Sequence, residues 1–172
     1  FDGKIFIGQG SRTSMDAAQK LAKIMAFIYP RNEVYIVQAL THDENSKGGW
    51  VNNMQTMHLD TVMMPVAPKT LLCCVEVIEH YRVLKMPEGK AMPLLKSMDG
   101  HSIIPVPKEE QKNYAANVLV VKPGTVIVPS DYNLTTNSNL ANAGINIISA
   151  KMKELTGGTG ATHCSVLSLV RE

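Results

Sequence analysis

Residues 117–128 read Asn-Val-Leu-Val-Val-Lys-Pro-Gly-Thr-Val-Ile-Val, and this stretch is the clearest structural signal in the chain. Two runs rich in β-branched residues flank Lys122, Pro123 and Gly124. Proline followed by glycine at the two central positions is typical of a type II turn. The stretch therefore predicts a β-hairpin.

The residues after this hairpin extend it into a larger unit. Thr135 or Thr136 can cap a helix that runs through residues 140–143, and Gly144 can end that helix. Residues 145–148 then have the composition of a strand. The prediction is a unit of hairpin, helix and strand.

A similar unit lies earlier in the chain. Its predicted elements are a hairpin of two apolar runs at 59–66 and 70–77, a short helix at 91–98 and a strand at 102–106. The two units start at a spacing of roughly 55–60 residues, and such repetition predicts a stacked or propeller-like α/β architecture.

The two ends of the chain add further elements. Residues 4–7 and 33–40 are predicted strands, and between them Ser14 can cap a helix that Pro30 ends. Residues 41–53 are polar and predict a loop. Residues 164–170 are predicted to form a last strand.

Composition excludes several classes of protein. The chain has 172 residues, of which 45% are hydrophobic and 19% charged, as in a folded globular domain. The formal net charge is +2 and the basic residues are scattered, so neither a nucleic acid nor a membrane is a predicted partner. No run approaches the roughly 20 apolar residues of a membrane span, and no signal peptide is recognisable. Because the sequence opens on Phe1, we expect a piece of a longer protein.

The three cysteines divide into two kinds. Cys73 and Cys74 lie inside an apolar run, which predicts buried packing residues in a reducing compartment, here the cytoplasm. Cys164 follows the glycine-rich residues 156–160 and stands beside His163. Glycines allow the backbone to approach closely and could hold this thiol exposed for chemistry, although a flexible loop with an incidental cysteine is an equal alternative.

Other polar residues are candidates for the same chemistry. At strand spacing, His58 and Asp60 would share a face, where the histidine could act as acid and base and the carboxylate could bind a cation. An ordinary surface turn is the commoner explanation of such a pair. A zinc site of His58, Asp60, His163 and Cys164 lacks the usual spacing of zinc ligands, so no metal is predicted. Arg12 could hold a carboxylate in a two-pronged contact.

These motifs together resemble the guanidino-group-modifying enzymes: arginine deiminases, dimethylarginine dimethylaminohydrolases and amidinotransferases. The matching stretches are residues 7–14 (Ile-Gly-Gln-Gly-Ser-Arg-Thr-Ser), 57–62 (Met-His-Leu-Asp-Thr-Val), 117–125, 143–145, 157–165 (Gly-Gly-Thr-Gly-Ala-Thr-His-Cys-Ser) and 169–171. The arginine deiminases look nearest. The resemblance implies a five-bladed α/β propeller of ββαβ units. Residues 1–172 would be the C-terminal part of one catalytic domain, with two to three blades present and the N-terminal blades absent.

The resemblance also implies a mechanism that needs no cofactor. The Cys164 thiolate would attack the guanidinium carbon, and His58 would protonate the leaving nitrogen and then activate water against the thiouronium intermediate. Asp60 would bind the guanidinium, and Arg12 would contact the substrate carboxylate. The predicted partners are a small guanidino substrate and either a second copy of the chain or the absent N-terminal part.

The sequence departs from the family pattern at two points. No element of the Glu-Gly-Gly-Asp type, which supplies a second acidic pair in the family, is present in the chain. Thr159 stands where some arginine deiminases have a substrate-binding arginine. Three functions therefore remain open: an arginine deiminase-like hydrolase, an amidinotransferase or dimethylargininase with the same residues, and a non-catalytic binding module.

Overall fold

The computed structural model describes residues 1–10, 12–38, 58–129 and 132–167. Its strands are β1 (Lys4–Gln9), β2 (Glu33–Gln38), β3 (Met63–Ala67), β4 (Thr70–Cys73), β5 (Arg82–Met86), β6 (Lys90–Pro93), β7 (Ser102–Pro105), β8 (Leu119–Lys122), β9 (Thr125–Pro129) and β10 (Asn146–Ala150). Its helices are α1 (Met15–Ile28), α2 (Val75–Ile78), α3 (Lys108–Gln111), α4 (Leu134–Asn142) and α5 (Lys153–Thr156), with short 3-10 turns at Leu59–Thr61 and Leu95–Met98.

Three small sheets contain these strands. The first has the strand order β1-β2-β5-β6, the second β3-β4-β7 and the third β8-β9-β10. In the second and third sheets an antiparallel hairpin is followed by a strand parallel to the second strand of that hairpin. The hairpin and the later strand of each predicted unit of hairpin, helix and strand are thus confirmed, but β5 and β6 intervene in the earlier unit. We call residues 63–105 the first hairpin unit and residues 119–150 the second hairpin unit.

The second hairpin unit forms largely as its sequence predicts. Gly124 has φ +79° in the turn between β8 and β9, and Gly144 has φ +77° after α4, conformations that favour glycine. The predicted cap of α4 is wrong, because the helix begins at Leu134 and neither threonine side chain caps it. Instead the Glu110 carboxylate accepts hydrogen bonds from the backbone N–H groups of Thr135 and Thr136 at 2.8 and 2.7 Å.

The first hairpin unit differs from the prediction at its edges. The hairpin of β3 and β4 and the parallel strand β7 are present. However, Leu59–Thr61 forms a 3-10 turn before β3, and Val75–Ile78 forms α2 after β4, where strands were predicted. Apolar residues in these two segments are buried without pairing into the sheet, so hydrophobicity alone could not mark the strand ends.

The first sheet contains both expected and unexpected strands. The predicted strands β1 and β2 pair in parallel through α1, whose N-cap Ser14 accepts a hydrogen bond from the Ala17 N–H at 3.2 Å. The antiparallel strands β5 and β6 complete the sheet. The predicted helix at 91–98 is wrong in its first half, because Lys90–Pro93 forms β6 and only Leu95–Met98 is helical.

One main core joins the three sheets. Along β2 the side chains alternate, so that Tyr35 and Val37 pack into this core while Val34 and Ile36 pack under α1. α1 buries its small residues Ala18 and Ala22, whereas its larger apolar residues Leu21, Ile24 and Ile28 are 40–52% exposed.

The chain thus has a mixed α/β fold of small sheets. Closure of such sheets into a five-bladed propeller stays a prediction. The predicted loop at 41–53 lies outside the described residues, as do the ends of two predicted strands, at 39–40 and 168–170. The start of the predicted last strand is wrong, because residues 162–165 form a turn. Within the described ranges no helix has the length and hydropathy to cross a membrane.

Candidate active site

Asp60 lies in the 3-10 turn that precedes the first hairpin unit. The prediction that strand spacing places His58 and Asp60 on one face is wrong, because the backbone turns at Leu59–Thr61. Thr61 closes the turn by donating from its backbone N–H and its hydroxyl to the His58 carbonyl oxygen, at 3.2 and 2.6 Å. A Cβ atom added to Gly8 of β1 would lie 3.1 Å from Leu59 Cγ, so the turn packs closely against the end of β1.

Asn117 occupies the corresponding place before the second hairpin unit. Its side chain is fully buried and donates from Nδ2 to Asp60 Oδ2 at 3.0 Å and to the Asp60 carbonyl oxygen at 3.1 Å. Its Oδ1 accepts the backbone N–H groups of Ala161 and Cys164 at 3.0 and 3.1 Å. One amide thus connects the Asp60 turn to the segment that carries the thiol.

The glycine-rich segment before Cys164 is docked on the second hairpin unit. Thr162 donates from Oγ1 to the carbonyl oxygens of Asn117 and Ile127, at 2.7 and 3.0 Å, and His163 donates its backbone N–H to the Asn117 carbonyl oxygen at 3.2 Å. At Gly160 an added Cβ would lie only 2.8 Å from Cys164 Cβ. Glycine is therefore required at this close approach to the thiol-bearing residue.

The two oxygens of the Asp60 carboxylate have different surroundings. Oδ2 accepts from Asn117, lies 2.8 Å from His163 Nδ1 and accepts from Cys164 Sγ at 3.5 Å. Among the described residues, none hydrogen-bonds to Oδ1. Burial alone would raise the pKa of Asp60. The hydrogen bond and the positive charge of His163, together with the hydrogen bonds from Cys164 and Asn117, hold this pKa below its usual value. Asp60 is therefore an anion whose Oδ1 accepts no hydrogen bond from the part of the chain that the structure describes.

Cys164 is the exposed cysteine, as predicted, whereas Cys73 and Cys74 are buried. Partial burial raises the pKa of the Cys164 thiol, and the negative charge of Asp60 raises it further. Burial has a larger effect on Cys73, raising its pKa to about 12. A cation bound beside Asp60 would favour the Cys164 thiolate.

A cleft of about 380 Å³ opens over the Cys164 thiol. Its lining residues are His58, Thr61, Glu154, Leu155, Gly158, Thr159, Gly160, Cys164 and Ser165. The predicted acid–base residue His58 and the predicted nucleophile Cys164 therefore share one cleft. Its volume fits the lower part of the range for small-molecule sites.

Arg12 is placed differently from the other predicted site residues. It is exposed in the turn between β1 and α1 and is not among the described residues that line the cleft. The end of β1 nevertheless packs on the Asp60 turn through Gly8 and Leu59. The predicted contact of Arg12 with a substrate carboxylate stays a prediction.

The supporting contacts of two residues of the site were missed. Asn117 reads as the start of a strand, and apart from its place in the family-matching stretch 117–125 its only signal was a polar side chain before an apolar run. His163 was noted beside the thiol, but its bond to Asp60 spans 103 positions of sequence. In the part of the chain that the structure describes, no three His, Cys, Asp or Glu side chains converge in a way that could hold a metal ion.

The family model described as arginine deiminase matches residues 2–171 of the chain. The chain belongs to the arginine deiminase family. It is 26% identical over 200 residues to the arginine deiminase of Latilactobacillus sakei, with 99% of this chain and 45% of the relative covered. The arginine deiminase of Mycobacterium tuberculosis is 27% identical over 189 residues, with 99% and 44% covered. The chain thus spans a little under half the length of these curated relatives.

Solved structures of guanidino-modifying enzymes share the fold of this family member. SxtG, an amidinotransferase from Microseira wollei, superposes with a TM-score of 0.69 at 17% identity, covering 99% of this chain and 45% of that one. The N-terminal domain of ArgZ, a cyanobacterial arginine dihydrolase solved with its product, gives a TM-score of 0.62 at 19% identity, covering 92% and 48%. At these identities the likeness concerns the mixed α/β fold alone.

Proposed function

We propose that the protein is a hydrolase of guanidino groups that converts arginine, or a derivative, to the ureido product and ammonia. The observation that carries the proposal is the Cys164 thiol 3.5 Å from the Asp60 carboxylate, in a cleft that His58 also lines. Membership in the arginine deiminase family supports the substrate class. Citrulline would be the product from arginine.

The reaction divides into two displacements at the guanidinium carbon. Cys164 Sγ forms a C–S bond to that carbon, and His58 gives a proton to the departing nitrogen as the C–N bond breaks and ammonia leaves. His58 then takes a proton from water, whose oxygen attacks the same carbon of the thiouronium intermediate. The C–S bond breaks and the thiolate returns, while the remaining hydroxyl proton passes to solvent as the ureido C=O bond forms. One water is consumed, and one ammonia and one proton are released.

Asp60 would bind the substrate through Oδ1. A guanidinium donates planar N–H groups that suit a carboxylate, and such charge-assisted bonds are about twice as strong as neutral ones. Because Oδ2 accepts from Cys164 Sγ, a guanidinium on Oδ1 would lie close to the thiol. Its positive charge would also offset the effect of Asp60 and lower the pKa of Cys164. The nucleophile would thus ionise mainly when substrate is bound.

The remaining substrate contacts are proposed from the family resemblance. Arg12 would hold the carboxylate of the substrate, and the second acidic pair would come from the parts of an arginine deiminase that this chain does not span. The chain would be the C-terminal part of a five-bladed α/β propeller. Agmatine lacks the carboxylate of arginine, so the two substrates together test the role of Arg12. Arg12→Ala should lower the turnover of arginine and leave that of agmatine unchanged.

The central test measures citrulline and ammonia formed from arginine by the intact protein. Cys164→Ala should abolish both, whereas Cys73→Ala, which removes a buried thiol, should keep turnover at reduced stability. Equal activity of wild type and Cys164→Ala would contradict the mechanism. Intact-mass analysis of the acid-quenched enzyme should reveal the covalent adduct on Cys164.

The same residues could serve an amidinotransferase, whose fold this chain shares. Ammonia release without an amine acceptor would exclude a transferase, and turnover of arginine but not of methylated arginine would exclude a dimethylargininase. If arginine fails to change the alkylation rate of Cys164, the cleft does not bind guanidino groups. That result would favour a binding module.

A further inference from the structure

We propose that Asn117 is a positioning residue, which holds the guanidinium-binding carboxylate and the nucleophile in one reactive arrangement. The proposal rests on the proposed function, because it assigns Asp60 and Cys164 their roles. Asn117 reaches both residues from a fully buried position: Nδ2 donates to Asp60 Oδ2 at 3.0 Å, and Oδ1 accepts the Cys164 N–H at 3.1 Å.

The chemistry of the side chain fits this position better than that of any similar residue. The two partners have opposite needs, since Asp60 requires a donor and the Cys164 backbone requires an acceptor. An amide offers both at its two ends, and an ionised carboxylate of the same size offers acceptors only. A buried polar group left without its partner costs stability, so both ends have to be satisfied together.

The consequence for catalysis lies in how the Asp60 oxygens are shared. Asn117, His163 and Cys164 all engage Oδ2, so the carboxylate cannot rotate without losing several contacts. This leaves Oδ1 for the substrate. The bond to the Cys164 N–H sets the backbone that carries the thiol relative to the same carboxylate. A displacement of about 1 Å between reacting groups can cost roughly 100-fold in rate.

The test replaces the Asn117 amide by a carboxyl group, which can donate a hydrogen bond only while it is protonated. In Asn117→Asp, the new carboxyl group stands beside Asp60, and adjacent buried carboxylates titrate as a pair with one strongly raised pKa. While it is protonated, the new group donates to Asp60 and accepts from Cys164, as the amide does. Once it ionises, it repels Asp60. We expect kcat/KM relative to wild type to be within tenfold at low pH and to fall by about 100-fold at high pH.

The control makes the same chemical change at Asn146, whose side chain is exposed on β10. Asn146→Asp should keep a constant ratio to wild type across the pH range. A constant ratio for Asn117→Asp as well would overturn the proposal, because ionisation of the new carboxyl group would then have no effect on the reacting groups.

A second readout separates this proposal from the proposed function. The rate at which iodoacetamide alkylates Cys164 reports the thiolate whether or not arginine is turned over. Asn117→Asp should move the midpoint of that pH profile upward and Asn146→Asp should not. If the wild-type protein does not turn over arginine but the alkylation midpoint is shifted in Asn117→Asp, only the proposed function is overturned. If the midpoint of Asn117→Asp equals that of wild type, the positioning role of Asn117 is overturned.

If Asn117→Asp does not fold, the wild-type protein answers the question. The side-chain amide of Asn117 should be slow to exchange with solvent in 15N–1H spectra, and its shift should follow the protonation of Asp60. A freely exchanging amide that ignores this titration would contradict the proposal.

Discussion

The two hairpin units place different chemistry at the same point of their repeat. Each begins just after a polar segment that enters the site: Asp60 before the first unit and Asn117 before the second. Asp60 is a charged residue whose Oδ1 has no hydrogen-bond partner among the described residues, whereas Asn117 is neutral and fully buried. A charge needs partners or water, while an amide with all its bonds made can be enclosed at little cost. The turn before the first unit therefore supplies the charged group that we propose binds the substrate, and the residue before the second unit supports that group.

Removing the charge of Asp60 is the strongest way to test this division. Asp60→Asn keeps the size of the side chain but loses the anion that would bind the guanidinium. We expect kcat/KM for arginine to fall by about 100- to 1,000-fold, comparable with the loss of one electrostatic contact to a transition state. Thermal unfolding of the variant should show a folded protein. Asp99→Asn, at an exposed position of the first hairpin unit, is the matched control. Equal losses in both variants would remove Asp60 from the site.

A smaller effect is expected where the thiol segment rests on the second unit. Because Thr162 and Asn117 hold that segment, a methyl group at Gly160 should displace the thiol rather than the loop. Gly160→Ala would place Cβ 2.8 Å from Cys164 Cβ, whereas Gly157→Ala would meet only the Glu154 carbonyl oxygen at 3.4 Å. A shift of a few tenths of an ångström should lower kcat by about tenfold in Gly160→Ala alone. Activity assays with both variants check this, and indistinguishable rates would show that the segment is loose.

The elements that could be predicted from the sequence are those specified by neighbouring residues. The hairpin at Pro123 and Gly124 and the helix capped by Ser14 depend on local turn and cap chemistry, and the structure contains both. The strand β5 could not be predicted in this way, because it joins the first sheet by pairing with β2, far away in the chain, and β6 then pairs with β5 at the edge of that sheet. Non-local pairing leaves no periodic signal of its own.

The residues of the site show the same contrast between local sequence signals and contacts over long distances in the chain. Motifs and family resemblance pointed to His58, Asp60 and Cys164. The structure places His58 and Cys164 in one cleft, and Asp60 accepts a hydrogen bond from the Cys164 thiol. Asn117 was missed because its function is visible only through contacts to residues 57 and 47 positions away. Supporting residues are recognised by their bonds, and the sequence does not show bonds between distant segments.

The smallest of the expected effects concerns stability rather than catalysis. Glu110 caps α4 of the second unit, and Glu110→Ala removes acceptors for Thr135 and Thr136. Loss of a helix cap costs about 0.5–2 kcal/mol of the free energy of unfolding. Catalysis should be unchanged, because Glu110 does not line the cleft. Glu109→Ala, at the exposed neighbouring position, should change neither stability nor activity.

The dependence of this effect on pH distinguishes a cap from simple packing. Partial burial opposes ionisation of Glu110, but the hydrogen bonds from Thr136 and Thr135 hold its pKa below the usual value. A carboxyl group with a lowered pKa in the folded protein stabilises it above the ordinary value of about 4.3. That contribution disappears as pH falls through the lowered pKa. The difference in urea-unfolding free energy between wild type and Glu110→Ala should therefore be full at pH 7 and shrink below about pH 4. A difference that does not change with pH would assign Glu110 a packing role, and the second unit would then hold α4 without an ionic cap.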